Sequence, residues 1–104
     1  NAAEECDMGR TGYASSKAAL IAFTKVLSKE LGHFNIRVNA IAPGLTKTNM
    51  MEKDISKKTF EDAIKRVALK RPAEPEEISS VIMFLASDLS SYVSGEVIFV
   101  TGGY

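Results

Sequence analysis

Three observations predict an α/β chain built on parallel strands. Two short runs rich in β-branched residues, "IRVNAIAP" over Ile36–Pro43 and "GEVIFVTGG" over Gly95–Gly103, end at Pro-Gly or Gly-Gly, the pattern of buried strands that lead into turns. Helical patterns precede the first run and fill the interval between the two. Parallel neighbours need a crossover between them, and that interval is long enough to hold one.

Taken in order, the first element is a helix from Tyr13 to Leu31. It contains neither proline nor glycine, and Leu20, Phe23, Leu27 and Leu31 recur at helical spacing before Gly32 stops it. Its first half, "AALIAF", is apolar nearly all round, so Ala18, Ile21 and Ala22 are expected to meet a second surface, such as another subunit. The Ile36–Pro43 strand follows. A polar stretch with helical periodicity around Phe60, Ile64 and Val67 comes next, and then a helix opened by "EPEEI", with proline at its start and acids in its first turn. Ile78, Val81, Ile82 and Leu85 form the stripe of that helix. The second strand closes the series. Parallel sheets are buried on both faces and two strands alone leave long unpaired edges, so further strands are expected from elsewhere.

Composition narrows the class. The 104 residues are 45% hydrophobic and 25% charged, with 13 basic and 13 acidic side chains, so no net field steers the chain to nucleic acid or an anionic membrane. No run approaches the ~18 apolar residues of a membrane span, and "NAAEECDMGR" has no basic-then-apolar leader pattern. One cysteine, Cys6, forms neither an internal disulfide nor a cysteine-rich zinc site. These features point to one cytoplasmic domain without a metal. The chain opens on Asn1 rather than methionine and is expected to be part of something longer.

The chemistry sits in "TGYASSKAAL", Thr11 to Leu20. Residues four apart share a helix face about 6 Å from each other, which makes Tyr13 and Lys17 neighbours. A phenol with pKa near 10 is a poor acid or base at neutral pH, but an adjacent ammonium favours the phenolate and lowers that value. The tyrosine then becomes a usable proton donor and acceptor. Alone, the pair is also what a lysine beside an ordinary surface tyrosine looks like, and roughly one chain in four of this composition holds such a pair by chance.

The pair is not alone. "YASSK" with its alanine-rich helix, then "IRVNAIAPGLTKTNM", then "KRPAEPEEISSVIMFLASDLSSYVSGEVIFVTGG" resembles the C-terminal part of short-chain dehydrogenases/reductases, of the β-ketoacyl-carrier-protein-reductase-like branch. The resemblance covers essentially the whole chain in the family's order. It implies a Rossmann-like, doubly wound parallel sheet, of which residues 1–104 carry two strands and about three helices while the N-terminal cofactor-binding half is absent. It further implies hydride transfer between NAD or NADP and a carbonyl or hydroxyl substrate, a small molecule or an acyl thioester, and a homo-oligomer, dimer or tetramer. Tyr13 would be the general acid or base. Lys17 would lower the Tyr13 pKa and hold the nicotinamide ribose. Pro43 and Gly44 would form the turn under the nicotinamide, with Thr46 offering its main chain and Thr48 its hydroxyl. Leu45 to about Val67 would be a substrate lid.

The family's glycine-rich phosphate turn, its NAD-or-NADP selector and its catalytic asparagine and serine fall before Asn1, so the chain by itself is expected to be inactive. Ser15 and Ser16 lie between the matched positions and do not replace that serine. Thr101 in "VTGGY" stands where an aspartate is common, and basic residues suited to an acidic carrier protein are not evident at His33-Phe34-Asn35. Other residues have plain readings: Cys6 an inert thiol, His33 an exposed loop residue without a second histidine, Met50, Met51 and Met83 gap-filling or lid side chains, and Arg71 a brace on the following helix. The alternative to an enzyme is a non-catalytic assembly module of the same fold.

Overall fold

A computed structural model of the chain describes residues 11–47 and 57–104, with the backbone alone for residues 11–13. The elements are α1 (Thr11–Leu31), β1 (Ala40–Pro43), α2 (Lys57–Arg66), α3 (Pro75–Ala86) and β2 (Val97–Val100), with short 3-10 turns at Gly32–Phe34 and Asp88–Ser90. The two strands pair. Ala40 N–H donates to the Glu96 carbonyl and Gly44 N–H to the Val100 carbonyl, both at 2.9 Å, and an equal advance of four residues on each strand is a parallel register. The α/β class with parallel strands and three helices is as the patterning predicts.

Both strands are shorter than their sequence signals: β1 ends at Pro43 as expected but begins late, and β2 is trimmed at both ends. Ahead of β1, the main chain of Val38 is taken by the loop before β2: its N–H donates to Ser94 Oγ at 3.2 Å, and its carbonyl accepts from Gly95 N–H at 2.7 Å. Around β2, Gly95, Gly102 and Gly103 have φ of 78°, 66° and 85°, which no extended strand accommodates. Glycine is the residue that takes such values without cost.

The chain divides into two units, Asn1–Ala40 with Ser91–Ile98, and Ile41–Ser90 with Phe99–Tyr104. In the first, α1 ends at Leu31 as predicted, but the left-handed residue is Asn35 (φ 61°) rather than Gly32. Asn35 N–H donates to the Gly32 carbonyl at 2.9 Å and Ile36 N–H to that of Leu31 at 3.3 Å, so the last carbonyls are satisfied after a 3-10 turn. The predicted apolar stripe holds only in its second half. Leu20 and Phe23 are exposed, whereas Leu27 and Leu31 are partly covered, and the covered stripe runs through Ala14, Lys17, Ile21, Thr24, Ser28 and Leu31, about one turn apart. Of the expected second surface, Ile21 is partly covered while Ala18 and Ala22 are exposed.

In the second unit, Val67 is the most deeply buried apolar side chain. It lies just past α2, where Ala68 and Leu69 donate to the carbonyls of Gly103 and Gly102 at 3.3 and 3.0 Å. Helix α3 begins with Pro75 in its first turn, where the missing N–H is no loss. Ile78, Val81 and Leu85 are partly covered, whereas Ile82, fourth of the predicted stripe, is 52% exposed.

Candidate active site

Helix α1 runs unbroken from Thr11, so Tyr13 and Lys17 stand one turn apart on it. Ala14, buried between them, seats that turn, and Lys17 is half-buried on the covered stripe. Ser15 and Ser16 are both exposed. The Tyr13 side chain lies outside what is described, as do Thr48, Cys6, Met50 and Met51.

The turn after β1 is held from three sides of its own unit. Gly44 is pinned by its bond to Val100, and a Cβ added to it would lie 2.9 Å from Thr101 Cα and 3.2 Å from Thr101 Cβ. Glycine is therefore required here by a close approach of two backbones. Thr46 Oγ1 donates to the Gly44 carbonyl at 3.1 Å, which closes the turn. Thr46 also forms a parallel bridge with Ala73, made by Ala73 N–H to the Leu45 carbonyl and Lys47 N–H to the Ala73 carbonyl, each at 2.8 Å. In such a bridge the central residue's own N–H and C=O face away from the partner strand. Thr46 thus presents a main-chain donor and acceptor on the other side, the donor set a planar carboxamide needs, and the residues present fit a nicotinamide at this turn.

Arg71 is the brace its position suggests. Its Nη1 and Nη2 donate to the two carboxylate oxygens of Glu77 at 2.6 and 2.9 Å, and Glu77 Oε1 also accepts Glu74 N–H at 2.9 Å, satisfying a free donor at the start of α3. The Arg71 hydrogen bonds, then the Glu74 N–H, hold the Glu77 carboxyl down to about 2, and the same pair raises the Arg71 guanidinium. Arg71 and Glu77 border a cavity of about 180 Å³ whose other walls are Leu69, Ala73, Val100, Thr101 and Gly102. Thr101, in place of an acid, accepts Tyr104 N–H at 3.4 Å. Among the described residues no group of His, Cys, Asp or Glu could hold a metal ion, and no helix is long and apolar enough to cross a membrane.

A tyrosine and lysine one turn apart on an unbroken helix, followed by a strand ending in a Pro-Gly turn, can be set against known proteins. The family model for enoyl-(acyl carrier protein) reductase matches residues 2–104. The chain belongs to the short-chain dehydrogenase/reductase family. The 3-oxoacyl-[acyl-carrier-protein] reductase FabG of Thermotoga maritima is 54% identical over 95 residues, covering 91% of this chain and 38% of that protein. A 3alpha-hydroxysteroid dehydrogenase of Mediterraneibacter gnavus is 46% identical over 91 residues, covering 88% of this chain and 36% of its own. Among solved structures, the 3-oxoacyl-[acyl-carrier protein] reductase of Brucella melitensis superposes with a TM-score of 0.84 at 39% identity, over 89% of this chain and 34% of that one. This short-chain dehydrogenase/reductase chain therefore spans less than two-fifths of the length of these three relatives. Membership makes it part of an oxidoreductase family that works with NAD or NADP.

Asn39, Lys25 and Gly95, which organise the first unit, are not among the site residues read from the short-chain dehydrogenase/reductase motifs. Asn39 donates through Nδ2 to the Val93 carbonyl (2.9 Å) and accepts Glu96 N–H at Oδ1 (3.1 Å), while Lys25 Nζ donates to the Gly95 carbonyl at 3.3 Å. The available signals were an asparagine inside a β-branched run and a glycine at the mouth of another.

Proposed function

We propose that this chain is the C-terminal part of an NAD(P)-dependent carbonyl reductase or alcohol dehydrogenase, with Tyr13 as its general acid or base. The single observation that carries the reading is the Tyr13 and Lys17 pair on one uninterrupted helix, in a chain 54% identical to a 3-oxoacyl reductase. In the reductive direction the Tyr13 hydroxyl gives its proton to the substrate oxygen as that oxygen gains negative charge. The Lys17 ammonium lowers the cost of the phenolate left behind and holds ribose hydroxyls. Pro43 and Gly44 supply a turn of small bulk, Thr46 its main-chain N–H and C=O, and Thr48 its hydroxyl. A bound nicotinamide dinucleotide supplies the hydride, or accepts it in reverse.

The relatives support two substrate classes, a 3-oxoacyl thioester on a carrier protein and a hydroxysteroid. A small oxo compound that needs no carrier satisfies the same proton chemistry. A cytoplasmic homo-oligomer, dimer or tetramer, completes the proposal. It is supported by the apolar side chains exposed on α1 and α3, among them Phe23 at 61% and Met83 at 71%.

Steady-state kinetics of Tyr13→Phe in the full-length protein test the reading. The substitution keeps the ring and removes the hydroxyl, so turnover should fall by at least ~10²-fold with cofactor affinity mostly intact. Near-wild-type turnover would sink it.

A further inference from the structure

Gly95 opens the stretch that leads into β2, far in sequence from the Tyr13 and Lys17 pair, and nothing in the proposed chemistry uses it. It is buried, its φ is 78°, and its N–H and carbonyl are both engaged, with the Val38 carbonyl (2.7 Å) and with Lys25 Nζ (3.3 Å). A Cβ built on it would lie 2.6 Å from Ser28 Oγ and 3.4 Å from Ser28 Cβ. Ser28 Oγ is itself held, donating to the Lys25 carbonyl at 2.7 Å. Two consecutive turns of α1 therefore close on one glycine, Lys25 by a hydrogen bond and Ser28 by placing its hydroxyl where a Cβ would stand. The loop under them is no softer. Ser94 Oγ takes Val38 N–H, the Asn39 amide brackets Val93 and Glu96, and Arg37 Nη1 reaches the Val93 carbonyl at 3.4 Å.

We propose that Gly95 is a positioning residue for helix α1: the side chain it lacks is the space in which Ser28 seats, and that seat sets where the covered face of α1, Lys17 included, comes to rest. Lys17 and Ser28 share the covered stripe, eleven residues and so about 16 Å apart along one helix. A packed helix moves as a body, so a lateral push at Ser28 is felt at Lys17 and Tyr13 together. Their mutual spacing stays the same while their place relative to the reacting groups changes. A misplacement of about 1 Å can cost ~10²-fold in rate. This inference rests on the catalytic reading above.

Its test uses the full-length protein, with Tyr13→Phe measured beside it. Gly95→Ala introduces two separate problems, a side chain at positive φ and a clash with Ser28 Oγ. Adding Ser28→Ala removes the second and leaves the first. We expect Gly95→Ala to lower kcat about 10- to 100-fold per folded molecule, with the shape of its pH profile unchanged because the Tyr13 to Lys17 spacing is unchanged. Gly95→Ala with Ser28→Ala should recover kcat to within about threefold of wild type while thermal stability stays reduced, since the φ strain persists. Ser28→Ala alone should be within about twofold in kcat. If Gly95→Ala does not fold, Ser28→Val presses on the same seat from the helix side without any demand on φ and should lower kcat in the same way. Unchanged kcat in Gly95→Ala or Ser28→Val, or no recovery in the double variant, overturns the positioning role. Retained activity in Tyr13→Phe overturns the catalytic reading instead, so the two failures are told apart.

Discussion

Replacing Gly44 by alanine isolates the contact that shapes the turn after β1. Its φ is not in the left-handed region, so the whole effect comes from the added methyl meeting the main chain of Thr101 at 2.9 Å. Carbon atoms rest about 3.5 to 4.0 Å apart, so the two backbones must separate by roughly 0.6 Å or more. Overpacking of this kind costs about 1–3 kcal/mol. Stiffening of the unfolded chain by Gly→Ala returns about 0.4–1 kcal/mol, and a net loss of about 1–2 kcal/mol remains. For a full-length protein of roughly 150–250 residues that is a drop in Tm of about 2–8 °C. The same separation strains the 2.9 Å bond from Gly44 N–H to the Val100 carbonyl and carries Thr46 with it, because the Thr46 hydroxyl is tied to the Gly44 carbonyl. Turnover should therefore fall by about tenfold or more, with a rise in the apparent KM for cofactor. Differential scanning fluorimetry and steady-state kinetics on the full-length protein read both. Thr101→Ala should give no rescue, since Cα and Cβ, the nearest atoms, remain. Wild-type Tm and kcat in Gly44→Ala, or rescue by Thr101→Ala, would refute the backbone-approach argument.

Lys17→Met should lower turnover and cofactor affinity together and move the residual activity to higher pH, since the charge that favours the phenolate is gone; kinetics from pH 6 to 10 check it. Glu77 carries its proton well below the ordinary 4.5, so its clasp on Arg71 is fully present above that value and lost as pH falls through about 2. Urea melts of wild type and Glu77→Gln should therefore differ most at neutral pH and converge towards pH 2; a gap that persists there contradicts the ion-pair account. The exposed apolar faces of α1 and α3 should be covered by association, and a strict monomer at micromolar concentration in the ultracentrifuge would contradict that.

Local features of the fold were legible along the chain because their causes are local. Helix periodicity, the proline that opens α3, the acids of its first turn and the β-branched runs act within a few residues, and each produced its element. The Tyr13 to Lys17 spacing and the Pro43-Gly44 turn are equally local, and the Arg71 brace spans only six residues. Which face of α1 is covered was legible only towards its end, at Leu27 and Leu31. Large apolar side chains at Leu20 and Phe23 pointed to one stripe, while in that half of the helix the chain covers Ala14, Lys17, Ile21 and Thr24 instead. That choice is made by the partner surface, whose loop at Gly95 meets Ser28 across 67 positions of sequence.

The sequence by itself determined the class of each element, their order and the residue types available for proton transfer, because these follow from bonded geometry and side-chain chemistry. Tertiary structure alone decided where β1 begins, that Asn35 rather than Gly32 takes the left-handed turn, that Asn39 clamps the loop 54 and 57 residues away, and which glycines are needed for closeness. Those outcomes depend on distances between backbones remote along the chain. A residue's own identity carries no record of the neighbour that will stand 3 Å from it.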